Sequence, residues 1–104
     1  MTAQETHAPA FTEDGEVYPH LEHRPHPWRK QPYVKGRNLT VGRLVRNMRA
    51  NGHTVESAAV DYDLPVDQIR EALRYYERHR QVIEQDRAEE RRLLVAAGIV
   101  RDDP

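Results

Sequence analysis

Residues 54–76, TVESAAVDYDLPVDQIREALRYY, confine the centre of this chain to a helix, a tight turn and a second helix. Ala58, Tyr62, Leu64, Ile69 and Ala72 fall at the inward positions of such a pair, and Ala59 is the small residue at the closest approach. Most helix-turn-helix units carry glycine where Asp63 stands. The backbone there is left-handed, and Asp tolerates that conformation better than most non-glycine residues. Pro65 suits the first turn of the following helix, which needs no N–H. The same periodicity serves a DNA-reading unit and a helical hairpin that only packs a core.

The flanks extend the pattern. Thr40 is the expected N-cap of a first helix that runs to Asn51 and stops at Gly52. Val41, Leu44, Val45 and Met48 make its inward stripe, with Arg43, Arg46 and Arg49 on the outer side. Before it, in residues 28–40, Tyr33, Lys35 and Arg37 alternate with Val34 and Leu39 around Gly36, which reads as a short strand or strand-turn segment that needs another short strand, or the same segment of a second subunit, to pair with. The third helix begins near Pro65 and buries Ile69, Leu73 and Tyr76. No Gly or Pro interrupts residues 66–97, so one helix of about 50 Å is allowed at 1.5 Å per residue. A bend in the polar stretch from Glu84 to Arg87 is the favoured alternative, with a last helix carrying Leu93, Leu94 and Ala97 to a Gly98 cap. Ile99 and Val100 follow as an apolar end.

These readings predict an all-α fold: a small helical bundle with a helix-turn-helix core, a short β-segment before the first helix and a long or bent C-terminal helix. The expected divisions are a mobile N-terminal arm over 1–27, a helix-turn-helix domain over 28–83, and a C-terminal helix and tail over 84–104. In the arm, Phe11, Val17, Tyr18 and Leu21 show no period. His20, His23 and His26 lie in a proline-interrupted stretch that reads as polar tail rather than as a metal site.

Charge is segregated. Residues 1–27 balance at -4, residues 28–53 at +7 with no Asp or Glu, and residues 54–104 at -4, which leaves a net charge of -1. The basic block can meet phosphates or the acidic remainder of the chain. Mean hydropathy is -0.92 and 32 % of residues are charged, so a monomer has little apolar core and association as a homodimer is expected. There is no cysteine, which excludes disulfides, thiol catalysis and Cys-ligated metals. No apolar run reaches the ~20 residues needed to span a bilayer, and no signal-peptide stretch is seen, so a cytoplasmic location is the expectation.

The run from His26 to Glu90 resembles the bacterial domain-of-unknown-function family 433. The resemblance rests on Lys35-Gly36-Arg37 before Leu39-Thr40-Val41, the Gly52 stop, Thr54-Val55-Glu56, Asp63-Leu64-Pro65, and Ile69, Ala72, Leu73, Tyr75 and Tyr76. Most members carry a Gly-Thr-Arg turn followed by Ile and Pro. Gly36-Arg37-Asn38-Leu39-Thr40 stands here instead, which marks a divergent branch. The resemblance implies a small helix-turn-helix protein of antitoxin type that binds DNA and pairs with a PIN-like nuclease.

Three function classes can be weighed on the residues. For DNA binding, Lys35, Arg37, Arg43, Arg46 and Arg49 are the candidate phosphate contacts, and Gln68, Arg70 and Arg74 the candidate base readers. Trp28 and Tyr33 suit buried anchors better than base-stacking platforms. Asp67 and Glu71 on the same face as the base readers oppose a polyanion. The alternative is a pure protein-interaction or dimerisation module, with Leu93, Leu94 and Ile99 as partner-binding candidates. An enzyme is not expected, because no phosphate loop and no nucleophile–base arrangement is present. His53 and His79 read as surface or capping residues, and Glu89 and Glu90 diverge by about 100° on a helix. No cofactor and no metal site are expected.

Overall fold

The structure is a computed structural model that describes residues 10–100. Four strands precede four helices: β1 (Phe11–Glu13), β2 (Glu16–Tyr18), β3 (Leu21–Glu22), β4 (Tyr33–Val34), α1 (Val41–Asn51), α2 (Val55–Tyr62), α3 (Val66–Arg78) and α4 (Arg80–Ala96). The fold is therefore mixed, not the all-α bundle expected. β1 pairs antiparallel with β2, and β3 with β4, in two separate two-stranded sheets. Strands of two or three residues are too short to display alternation in the sequence. The first hairpin did carry a signal, the Asp14-Gly15 pair. Their φ values of 54° and 79° form the mirror-image turn that matches strand twist.

The same hairpin corrects the mobile arm, whose residues 1–9 lie outside the described residues. Residues 11–22 are folded into the core, with Tyr18 fully buried and Leu21 nearly so. Phe11 and Tyr18 are cross-strand partners on one face. Their rings meet Tyr75 of α3 at centroid distances of 5.8 and 5.3 Å, and His79 stacks on Tyr75 at 4.5 Å. Four rings, two from each end of the chain, thus close one aromatic cluster. Leu21 pairs with Val34, so the strand partner that β4 requires comes from the N-terminal segment.

The helices follow local chemistry closely. Thr40 Oγ1 accepts from the Arg43 N–H at 3.2 Å, and Gly52 closes α1 at φ 65°. Thr54 and Ser57 form a reciprocal capping box on α2, and Asp63 ends it in the left-handed region at φ 55°. Pro65 serves as the N-cap of α3, one position earlier than expected. Val41, Leu44, Val45 and Met48 are buried, as are Ala58, Ala59, Ile69, Ala72, Tyr75 and Tyr76. Leu73 is only half-buried, because the aromatic cluster turns α3 onto Tyr75 instead.

The long third helix breaks at His79, not at 84–87. His79 takes φ -131° and ψ 39°, while its N–H still reaches the Tyr75 carbonyl at 2.8 Å and its carbonyl accepts from Val82 at 3.1 Å. The break needs no glycine or proline because packing sets it. α4 swings so that Ile83 and Asp86 are buried against α1 and the segment before β4. At the crossing, a Cβ on Gly42 would lie 2.8 Å from Ile83 Cγ2 and 2.9 Å from Gln31 Oε1. The Gly42 N–H donates to Gln31 Oε1 at 2.7 Å, and the Asp86 carboxylate accepts from the N–H groups of Lys30 and Gln31 at 3.0 and 2.8 Å. Among the described residues, no helix is long and apolar enough to cross a membrane.

Two predictions follow from this packing. Gly42→Ala should lower stability: overpacking costs about 1–3 kcal/mol, against at most ~1 kcal/mol from better helix propensity. A urea midpoint that stays or rises would mean that α4 does not hold the approach described. Burial and the Glu16 carboxylate push the Tyr18 phenol up to about 12, and burial and Glu13 raise that of Tyr75 as well. Folding favours the neutral phenols, so stability is intact below the ordinary tyrosine value near pH 10 and falls as pH rises toward 12. Absorbance at 295 nm should show a late ionising phase that coincides with loss of helical circular dichroism and disappears in Tyr18→Phe/Tyr75→Phe.

Candidate nucleic-acid interface

The +7 block divides into cations that are engaged in the fold and cations that are not. Arg37 is engaged: its guanidinium donates to the carbonyls of Tyr62 and Asp63 at 2.7 and 2.8 Å. It satisfies the C-terminal carbonyls of α2 at the turn, where a cation also suits the helix dipole. Arg49 lies over the Tyr76 ring at 4.9 Å and donates to its hydroxyl at 3.0 Å. Lys35 is exposed, with Nζ 3.5 Å from the Pro19 carbonyl. Arg43 and Arg46 differ from these. Their side chains make no hydrogen bond or ion pair among the described residues.

Arg43 and Arg46 lie one turn apart on α1 and line one open cleft of about 320 Å³ with Arg29, Tyr33, Asn38, Thr40 and Glu90. The N-terminus of α1 opens at this cleft, and its dipole adds positive potential. Arg29 is oriented by Tyr33 Oη at 2.9 Å and by the Trp28 ring, 4.7 Å from its guanidinium carbon. Burial first, then repulsion from Arg87, lowers the Arg46 guanidinium from its ordinary value. Glu90 opposes this and Arg43 adds to it. Arg46 remains a cation at neutral pH. A half-buried guanidinium with like-charged neighbours and one nearby carboxylate is a place where an anion lowers the energy. Arg29, Asn38 and Thr40 were absent from the sequence-derived site, because only the turn before α1 brings them to Arg43.

The expected base readers do not act together. Arg74 is held by the hairpin: it donates to the Val17 carbonyl at 3.0 Å and covers the Tyr18 ring at 4.8 Å. Arg78 pairs with Glu16, and the buried Glu71 accepts from the His20 N–H and ring at 2.6 and 2.8 Å. The acidic hairpin therefore occupies the C-terminal half of that face of α3. Glu71 is consequently a buried acceptor and not an exposed carboxylate that opposes DNA. Gln68 and Arg70 remain toward the start of α3, Gln68 half-buried and Arg70 exposed with Glu56 at 3.5 Å. Asp67 is exposed beside them.

The remaining residues complete the map. Trp28 is half-buried and Tyr33 buried, consistent with anchors. His20 serves Glu71, and His26 Nδ1 accepts from the Arg29 N–H at 2.9 Å, so these two hold loops. His79 is a capping residue, between the end of α3 and the start of α4, but it is buried there and not on the surface. On α4, Leu93, Leu94 and Val95 are half-buried and Ile99 is 71 % exposed.

Comparison with known proteins adds no relative: no family model matches the chain, and neither does any curated protein or solved structure.

Proposed function

We propose that this protein is a small DNA-binding regulator that grips the phosphate backbone through the Arg29, Arg43 and Arg46 cleft at the start of α1. The observation that carries this reading is the pair Arg43 and Arg46, the two arginines of the basic block whose side chains make no hydrogen bond or ion pair among the described residues, placed together beside a helix N-terminus. Phosphate contacts position a protein on DNA, and base contacts specify sequence. The unit from α2 to α3 supplies Gln68 and Arg70 for that second task, with Arg74 withdrawn by the hairpin. A short reading face of this kind gives strong backbone attraction and modest discrimination. The antitoxin type and pairing with a PIN-like nuclease belong to this proposal on the strength of the resemblance of residues 26–90 alone.

A second reading is supported by the far end of α4. Beyond Asp86 the helix has no buried residue, yet it carries Leu93, Leu94 and Val95, followed by Ile99. An apolar edge on a projecting helix suits a homodimer seam or a nuclease surface. The two readings are compatible, since a regulator that dimerises through α4 presents two clefts to one duplex.

The test is a salt titration of binding to duplex DNA. Arg43→Ala/Arg46→Ala should weaken binding, and the slope of log K against log salt should become shallower by about 2 if each arginine neutralises one phosphate. An unchanged slope removes the cleft from DNA binding. Gln68→Ala should leave the slope alone and alter only the preference among fragments.

A further inference from the structure

A second cluster of chemistry-bearing residues lies away from the arginine cleft, where the β1–β2 turn meets the α3–α4 break. His79 has a side chain only 6 % exposed, and its Nδ1 is the ring atom turned toward the hairpin carboxylates. It faces Glu13 Oε2 at 3.2 Å and Asp14 Oδ2 at 3.6 Å, and the three donor atoms lie within 4.8 Å of one another. Donors held 2.0–2.2 Å from a tetrahedral zinc ion are separated by about 3.3–3.5 Å, so both His–carboxylate separations bracket the edge of such a polyhedron.

The surrounding geometry is built to hold those atoms. The left-handed Asp14-Gly15 turn puts two successive carboxylates at the tip of the hairpin, and the one-residue helix break turns His79 toward them. Tyr75 donates to Glu13 Oε1 at 2.9 Å, leaving Oε2 directed at His79, and its ring stacks on the imidazole. Glu13 is thereby oriented by an outer hydrogen bond of the kind metal ligands use, and the imidazole by stacking alone. Asp14 is 80 % exposed, so a fourth position is open to water. One imidazole and two carboxylates suit a zinc-class ion better than calcium or magnesium, which take oxygen ligands.

We propose that Glu13, Asp14 and His79 bind one zinc-class divalent cation that fastens the N-terminal hairpin to the α3–α4 junction. Ligation through Nδ1 puts the ring proton on Nε2, which is buried without an acceptor. That unpaired N–H places the affinity below that of a closed four-ligand structural site. Binding to the folded chain alone raises its thermal stability.

The experiment is calorimetric titration of the untagged full chain with Zn²⁺, with Co²⁺ absorption as a reporter of ligand number and Tm followed in parallel. One equivalent should bind, with a rise in Tm and a four-coordinate Co²⁺ spectrum. Glu13→Gln/Asp14→Asn, which preserves the shape of the turn, and His79→Gln should each abolish the heat and the Tm rise. Tyr75→Phe should weaken binding roughly tenfold. Binding that survives both ligand variants but disappears in His20→Ala/His23→Ala/His26→Ala would overturn the proposal in favour of the N-terminal histidines. Absence of binding in the parent chain would overturn it outright and leave an ion pair between His79 and the hairpin.

Discussion

Tyr75 is the residue on which the two halves of this molecule depend. Its ring meets Phe11 and Tyr18 edge-on and stacks with His79, and its hydroxyl donates to Glu13. That cluster packs four rings together at the seam between a hairpin of two three-residue strands and a helix, neither of which has enough apolar surface to be stable alone. The consequences extend in both directions. Toward the N-terminus, Leu21 is positioned to pair with Val34, which completes β4. Toward the C-terminus, His79 leaves the helical path and α4 is free to cross α1.

The charge pattern acquires its meaning from that seam. The acidic segment at the start of the chain lies on α3, where Arg74 and Arg78 engage the Val17 carbonyl and the Glu16 carboxylate. On the basic block it reaches only as far as β4 and the Lys35-Gly36 turn, where Glu22 accepts from the Gly36 N–H, and not the α1 arginines. Arg37 and Arg49 are bound by the turn after α2 and by Tyr76, which leaves Arg43 and Arg46 in the cleft with Arg29. A net charge of -1 thus coexists with a local concentration of positive charge, and it is the local field that an approaching phosphate encounters.

Two junctions hold the arginine cleft in place. Asp86 ties α4 to the backbone of residues 30 and 31, and Gln31 ties that segment to the start of α1. Gly42 lets Ile83 approach without a Cβ between them. Arg29, which belongs to the same segment, is therefore held relative to Arg43 by hydrogen bonds that begin on α4. The fourth helix contributes to the site by positioning and also directly, through Glu90, which lines the cleft beside Arg46.

The helices were legible in the residues because their signals are local. Thr40 and Gly52 bound α1, Asp63 accepts the left-handed turn, and the buried positions of α1 to α3 follow the 3.6-residue period. Asp14-Gly15 was equally local, but it joined strands too short to display an alternation, and so the arm read as structureless. What tertiary structure alone decided was the break at His79, the burial of Tyr75 in place of Leu73, and the division of the arginines into engaged and unengaged. Each depends on residues brought together from distant positions, Tyr18 with Tyr75, Gly42 with Ile83, and Val17 with Arg74. A helix period names the face that turns inward; only the packed partners determine which side chain on its edge is covered and which cation is held by the fold.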